Sequence, residues 1–102
     1  MNIQFKKGVL ELLVLAMLKK GDQYGYDISD AISQKVLISA GTVYPILRKM
    51  KDDGLVTTYL SEQSSGPARK YYKLTSQGLK KYNTLSAEWL EFIGITKQFL
   101  EE

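Results

Sequence analysis

Residues 38–56, ISAGTVYPILRKMKDDGLV, decide how the chain is read. Ser39 is a good helix N-cap, and Gly54 is a good helix stop. Val43, Leu47 and Met50 recur at three- and four-residue spacing, so they form one apolar stripe with Ile46 at its edge. Thr42, Tyr44, Pro45, Arg48 and Lys49 are left on or near the other side. Pro45 harms a helix begun at Ser39, because it removes a bond in the second turn. A helix begun at Thr42 holds it in the first turn, where its missing N–H costs almost nothing. Ala40 and Gly41 keep that start slim. A slim, positively polarised helix start can approach a phosphate or a base edge closely. A short helix with an oily back, cations outside and a thin tip suits a DNA groove.

The segments on either side fit that reading. Residues 5–20 form a helix that is apolar almost all round, stopped by Gly21. A second helix is expected over about 24–34, opened by Asp22 or Gln23, with Tyr26, Ile28, Ala31 and Ile32 as its buried side. After the 38–56 helix, residues 55–62 (LVTTYLSE) are rich in β-branched and aromatic side chains. Residues 69–74 (RKYYKL) alternate with period two. The turn cluster QSSGPA between them makes the pair a hairpin. Arg69 and Lys70 follow its Gly-Pro tip, and no acid occurs between Gln63 and Leu85. Thr75 caps a last helix with apolar positions from Leu79 to Leu100. About 25 residues at 1.5 Å each make an arm of ~38 Å.

The expected fold class is mainly α with a small β-hairpin: a winged helix-turn-helix over residues 1–74, followed by a long C-terminal dimerisation helix over 75–102. The first and last helices carry more apolar surface than one core of this size can cover.

Composition narrows the function. The 102 residues carry a net charge of +3, with 44% hydrophobic and 25% charged residues. There is no cysteine and no histidine. The usual general base, the commonest zinc ligand and every thiol are therefore missing. No nucleophile–base pair, metal cluster or phosphate loop is visible. Asp52–Asp53 and Glu101–Glu102 read as solvated charge, so no enzyme, metal or cofactor is expected. Absence of cysteine suits a cytoplasmic setting. The apolar run Val9–Leu18 is interrupted by Glu11, followed by Lys19 and Lys20, and is short of the ~20 residues of a membrane span. It is read as a buried helix, and no membrane partner is expected.

The stretches YGYDI, GTVYPILRKMKDDGLV and GPARKYYKLTSQG, with the terminal helix, resemble the PadR family of transcriptional regulators. The resemblance runs from about Gly8 to Phe99, and the single final helix is similar to the small-subfamily members. It implies a homodimer that represses promoters by binding pseudo-palindromic double-stranded DNA. It carries DNA contact onto Gly41, Thr42, Tyr44 and Arg48 in the third helix and Gly66, Arg69 and Lys70 in the wing. Tyr24, Ser39 and Lys49 complete the expected DNA-facing set. The final helix is expected to swap across the two-fold onto the partner's first helix, with Leu13, Tyr82, Leu85, Trp89, Ile93 and Phe99 in the interface. Trp89 resembles in position the tryptophan of a lactococcal multidrug-sensing member. With Phe92 and the partner's Leu12 and Ala16 it would then bind a planar aromatic small molecule. Two alternatives stay open: Trp89 as plain interface core, and a winged helix that binds protein and has no DNA target.

Overall fold

The computed structural model describes residues 3–62 and 66–101. In chain order the elements are α1 (Ile3–Lys19), β1 (Gln23–Tyr24), α2 (Gly25–Val36), a 3-10 turn (Ala40–Thr42), α3 (Val43–Asp52), β2 (Val56–Ser61), β3 (Arg69–Leu74) and α4 (Ser76–Leu100). The core is one cluster. Leu10, Val14, Leu15 and Leu18 of α1 meet Ile28 and Ile32 of α2, Val43, Leu47 and Met50 of α3, and Leu55, Val56 and Tyr72 from the sheet side. Each fully buried aliphatic side chain contributes roughly 1.5–3 kcal/mol. The α3 stripe is the one expected from its spacing.

The N-terminus of α3 differs from a simple capped start. Ser39 does not cap it. Its carbonyl accepts from the Thr42 amide at 3.0 Å, closing the 3-10 turn, and α3 follows with Thr42 at the N-cap and no side-chain cap bond. Pro45 is thus the third residue of α3, where a helix has a surplus of unpaired N–H groups. At the other end Gly54 adopts φ 77°, a left-handed conformation that favours glycine. Its amide and that of Leu55 donate to the Lys51 and Met50 carbonyls at 3.1 and 2.9 Å. That double closure ends α3 and turns Leu55 into the core.

Four further expectations are corrected. The sheet has three strands, ordered β1-β3-β2, because Gln23 and Tyr24 pair with Tyr72 and Tyr71 of β3. Pairing claims those two residues, so α2 starts after Tyr24, and neither Asp22 nor Gln23 caps it. Tyr26 is 57% exposed; Gly25 and Ser29 are buried beside Ile28 and Ile32 instead. The hairpin strand begins at Val56, not Leu55, since Leu55 belongs to the closure of α3. Residues 63–65 of the wing loop lie outside the described residues.

Thr75 caps α4 as expected, accepting from the Gly78 amide at 3.0 Å. Its hydroxyl also lies 2.8 Å and 3.0 Å from the Gly54 and Leu55 carbonyl oxygens, as donor. Its own amide donates to the Leu55 carbonyl. The end of α3 and the start of α4 are therefore one joint. A side chain at Gly78 would collide with the Leu55 carbonyl, so α4 passes directly against that turn. The first half of α4 lies along α1, tied by Lys81 to Glu11 at 2.8 Å and by Lys19 over the Tyr82 ring at 4.8 Å. Residues 91–100 are exposed, and the molecule measures 57 × 29 × 21 Å.

Candidate nucleic-acid interface

The cations of α3 and the wing converge. A cleft of about 390 Å³ between the two is lined by Tyr44, Arg48, Lys51, Asp52, Lys70 and Tyr72. The i, i+4 relation puts Tyr44 and Arg48 on one side of α3, with Lys51 and Asp52 a turn further on. Alternation along β3 puts Lys70 and Tyr72 on the face toward α3. Arg48, Lys51 and Lys70 make no ion pair among the described residues. Tyr72 is 8% exposed. Burial pushes its phenol above the ordinary value near 10, the Tyr44 phenol adds to this, and the Arg48 guanidinium pulls it back.

The other expected DNA-facing residues divide into groups. Ser39, Gly41 and Tyr44 are exposed at the tip of α3, and Thr42 is half-buried behind them. A Cβ on Gly41 would meet nothing nearer than the Ser39 hydroxyl oxygen at 3.8 Å. The fold itself therefore leaves space for a side chain there. Lys49 is engaged by Asp53 at 2.9 Å, which holds its ammonium pKa above the ordinary value. Both partners are solvent-exposed, so the pair is weak and screened by salt. Gly66 takes φ 121° at the wing turn, a conformation that a glycine adopts freely.

Arg69 and Lys70 face opposite ways. Arg69 sits on the outer face of the sheet, its guanidinium 5.1 Å from the centre of the Tyr24 ring. Tyr24, Tyr71 and Tyr59 form a row across the three strands, with ring centres 6.1 and 5.7 Å apart. The Tyr59 hydroxyl donates to Asp22 at 2.8 Å. Arg69 and Tyr24 thus form one surface, and Lys70 joins the α3 cleft. Lys51 and Tyr72 were not expected in that cleft. Period two in RKYYKL is the signal for Tyr72, since it assigns residues 70 and 72 to one face.

The expected ligand residues come together within one chain. Val9, Leu12, Leu13, Ala16, Tyr82, Ser86, Trp89, Leu90 and Ile93 line a groove of about 300 Å³ between α1 and α4. Leu12 and Ala16 of the same chain therefore share this groove with Trp89. Phe92 lies on the other side of Trp89, edge-on at 6.3 Å between ring centres, and the two border a shallow notch with Glu88. Leu13, Tyr82 and Leu85 are half-buried against the core, whereas Ile93 and Phe99 are exposed.

Helices α1 to α3, a three-stranded sheet and a charged cleft between α3 and the hairpin define a winged helix-turn-helix protein. The sequence profile of the transcriptional regulator PadR-like family matches residues 14–84. The chain belongs to that family, whose members are transcriptional regulators and not enzymes. An uncharacterised protein of Lysinibacillus sphaericus is 31% identical over 99 residues, covering 93% of this chain and 91% of its own. The crystal structure of a PadR-like transcriptional regulator from Bacillus cereus superposes with a TM-score of 0.88 at 31% identity, covering 97% of this chain and 98% of that one. The structure of Bacillus subtilis PadR in complex with operator DNA superposes with a TM-score of 0.65 at 29% identity, covering 80% of this chain. The present chain spans 46% of that protein's structure. No helix among the described residues is long and apolar enough to cross a membrane.

Proposed function

We propose that this protein is a homodimeric transcriptional repressor that binds pseudo-palindromic promoter DNA through α3 and the wing. The observation that carries the reading is the convergence of Arg48, Lys51 and Lys70 on one cleft without acidic ion-pair partners. A winged helix serving only protein contacts has no need to gather unpaired cations there. The Bacillus subtilis relative is a negative transcriptional regulator, which supports the repressing direction, and its structure in complex with operator DNA supports the DNA target. In this reading α3 enters the major groove, with Gly41, Thr42, Tyr44 and Arg48 at the bases, and the wing grips the backbone.

The test is binding to a labelled duplex from the region upstream of the gene, measured by anisotropy over a series of KCl concentrations. Log affinity is expected to fall linearly with log salt, by about 0.9 per phosphate neutralised. An affinity indifferent to salt ends the proposal.

The dimer rests on the exposed end of α4, where Leu90 and Phe99 are 71% and 74% exposed alongside Phe92, Ile93 and Leu100. A second copy is the natural cover for a helical apolar stripe of this length. Sedimentation is expected to give a dimer, and Phe99→Asp a monomer with weakened DNA binding.

The apolar groove beside Trp89 favours one addition: a planar aromatic effector that stacks on the indole. Titration of planar compounds should quench Trp89 fluorescence. Trp89 is the only tryptophan, so the control is calorimetric: binding heat that persists in Trp89→Ala counts against the groove as the site, and leaves Trp89 as interface packing.

A further inference from the structure

The outer face of the sheet carries a feature that the α3 cleft does not use. Tyr59, Tyr71 and Tyr24 stand in direct register across the three strands. Their ring centres are 5.7 and 6.1 Å apart, and Tyr26 extends the row by another 6.0 Å. Neighbouring ring planes are inclined by only 19° or 31°. Tyr59 is 42% and Tyr26 57% exposed, while Tyr24 and Tyr71 are half-buried. Core packing does not call for this row, since Tyr72 is the tyrosine that joins the core. Two cations flank it. Arg69 and Lys73 stand on either side of Tyr71 along β3, and alternation puts all three on one face. Both cations are exposed, and neither makes an ion pair among the described residues. The Arg69 guanidinium lies 5.1 Å from the centre of the Tyr24 ring. Asp22, the carboxylate bonded to the row, is engaged by the Tyr59 hydroxyl at 2.8 Å.

We propose that this face is a stacking platform for single-stranded nucleic acid. Bases stack on tyrosine rings and guanidinium planes, and neighbouring cations meet the phosphates that join them. Charge selects the occupant. A proline-rich peptide also lies well on aromatic rings, but it brings no anion for Arg69 and Lys73. Spacing selects the single strand over the duplex. Bases along a duplex strand are ~3.4 Å apart and stack on one another. They offer no face to rings set 5.7 and 6.1 Å apart, whereas a splayed single strand does. Stacking reads no base edge, so sequence preference should be slight. The surface lies across the sheet from the α3 cleft, and the proposal does not depend on duplex binding there.

The test uses the full chain and a fluorescein-labelled oligothymidine of about 12 nucleotides, a length such surfaces span. Anisotropy is read at several KCl concentrations, with a labelled mixed-sequence duplex in parallel. The parent should bind the single strand with an affinity that falls as salt rises. Tyr59→Ala should weaken it about tenfold, whereas Tyr59→Phe, which keeps the ring and loses the hydroxyl, should stay within about twofold. Lys73→Gln should lower the salt slope by about 0.7, the value for one phosphate of a single strand. Tyr59→Ala and Lys73→Gln should both bind the duplex like the parent. Arg69 also belongs to the wing and is left intact. Thermal melting checks that Tyr59→Ala is folded; should it unfold, the Lys73→Gln slope decides, and an unchanged slope overturns the proposal. It is also overturned if the parent fails to bind the single strand at low salt, or if folded Tyr59→Ala binds it like the parent. Equal weakening of single strand and duplex by Tyr59→Ala makes this face part of the duplex contact, and overturns it too. A labelled oligoproline that binds the parent but not Tyr59→Ala, with the single strand indifferent to that change, assigns the face to a peptide instead. Failure of the duplex arm alone sinks the repressor reading and leaves the platform standing.

Discussion

Gly25 packs against the ring of Tyr72: a Cβ placed on Gly25 would stand 2.9 Å from the Tyr72 Cε1 atom. The first residue of α2 thereby sets where the floor of the α3–wing cleft can be. Gly25→Ala is expected to push the ring aside and cost about 1–3 kcal/mol, the usual range for overpacking. The check is the urea midpoint, which should fall with an unchanged slope. The same variant should bind duplex DNA more weakly than its residual folding explains. A midpoint equal to that of the parent chain would mean that the ring yields without cost.

Gly41 is the opposite case. Its backbone is not left-handed and its surroundings are open. Gly41→Ala should therefore fold at least as stably as the parent, with a gain of up to about 1 kcal/mol from reduced freedom of the unfolded chain. Its DNA affinity should drop at least tenfold, because the methyl group enters the space that a base edge or phosphate needs. Retained affinity would remove the tip of α3 from the contact surface.

Leu37 ends α2 at φ 58° and ψ 54° while 78% exposed. A left-handed leucine costs about 1–2 kcal/mol. Leu37→Gly relieves this, offset by about 0.5–1 kcal/mol for the greater freedom of an unfolded glycine. A net gain of up to about 1.5 kcal/mol should appear as a Tm raised by a few degrees. Leu37→Val should move the other way, since a β-branched residue fits that conformation poorly.

Thr75→Ala removes the α4 cap and both bonds to the α3 turn. A loss of about 1–2 kcal/mol is expected. Thr84→Ala, on the exposed side of α4, serves as the comparison and should change little.

Neutral pH should leave DNA binding untouched. The chain has no histidine. The displaced groups, Lys49, Tyr59 and Tyr72, all move upward: Lys49 through Asp53, Tyr59 through its bond to Asp22, and Tyr72 through burial. Each holds its proton more tightly in the folded chain than in the unfolded one. Their contribution to stability is complete below pH 10 and is lost as the pH climbs through the folded values. Duplex affinity measured from about pH 6 to 8 should therefore be flat. A step within that range would point to a group outside this interface.

Periodic features were legible from residue order. The stripe Val43, Leu47 and Met50, the cap at Thr75 and the span of α4 follow from spacing and local hydrogen bonding, which act within a few residues. Features that depend on distant pairing were not. Gln23–Tyr24 is too short to announce itself as a strand, and only Tyr71 and Tyr72, almost fifty residues on, make it one. That pairing in turn shifts the start of α2 and turns Tyr26 outward. Ser39 has the chemistry of a cap, but the 3-10 turn uses its carbonyl instead. The cleft shows the same division. Arg48 was marked by its place on the outer side of α3. Lys51 and Tyr72 became members through the angle between α3 and β3, which no local pattern encodes.

The bonds from Thr75 to Gly54 and Leu55 leave no slack between the helix that would read DNA and the arm that would hold a second copy. A tilt of about 5° at that junction swings the tip of a ~38 Å rod by roughly 3 Å. In a pair joined near the tips, leverage runs both ways. A slight change in how the rods cross resets the distance between the two DNA-facing ends, and DNA of fixed pitch in turn dictates the crossing.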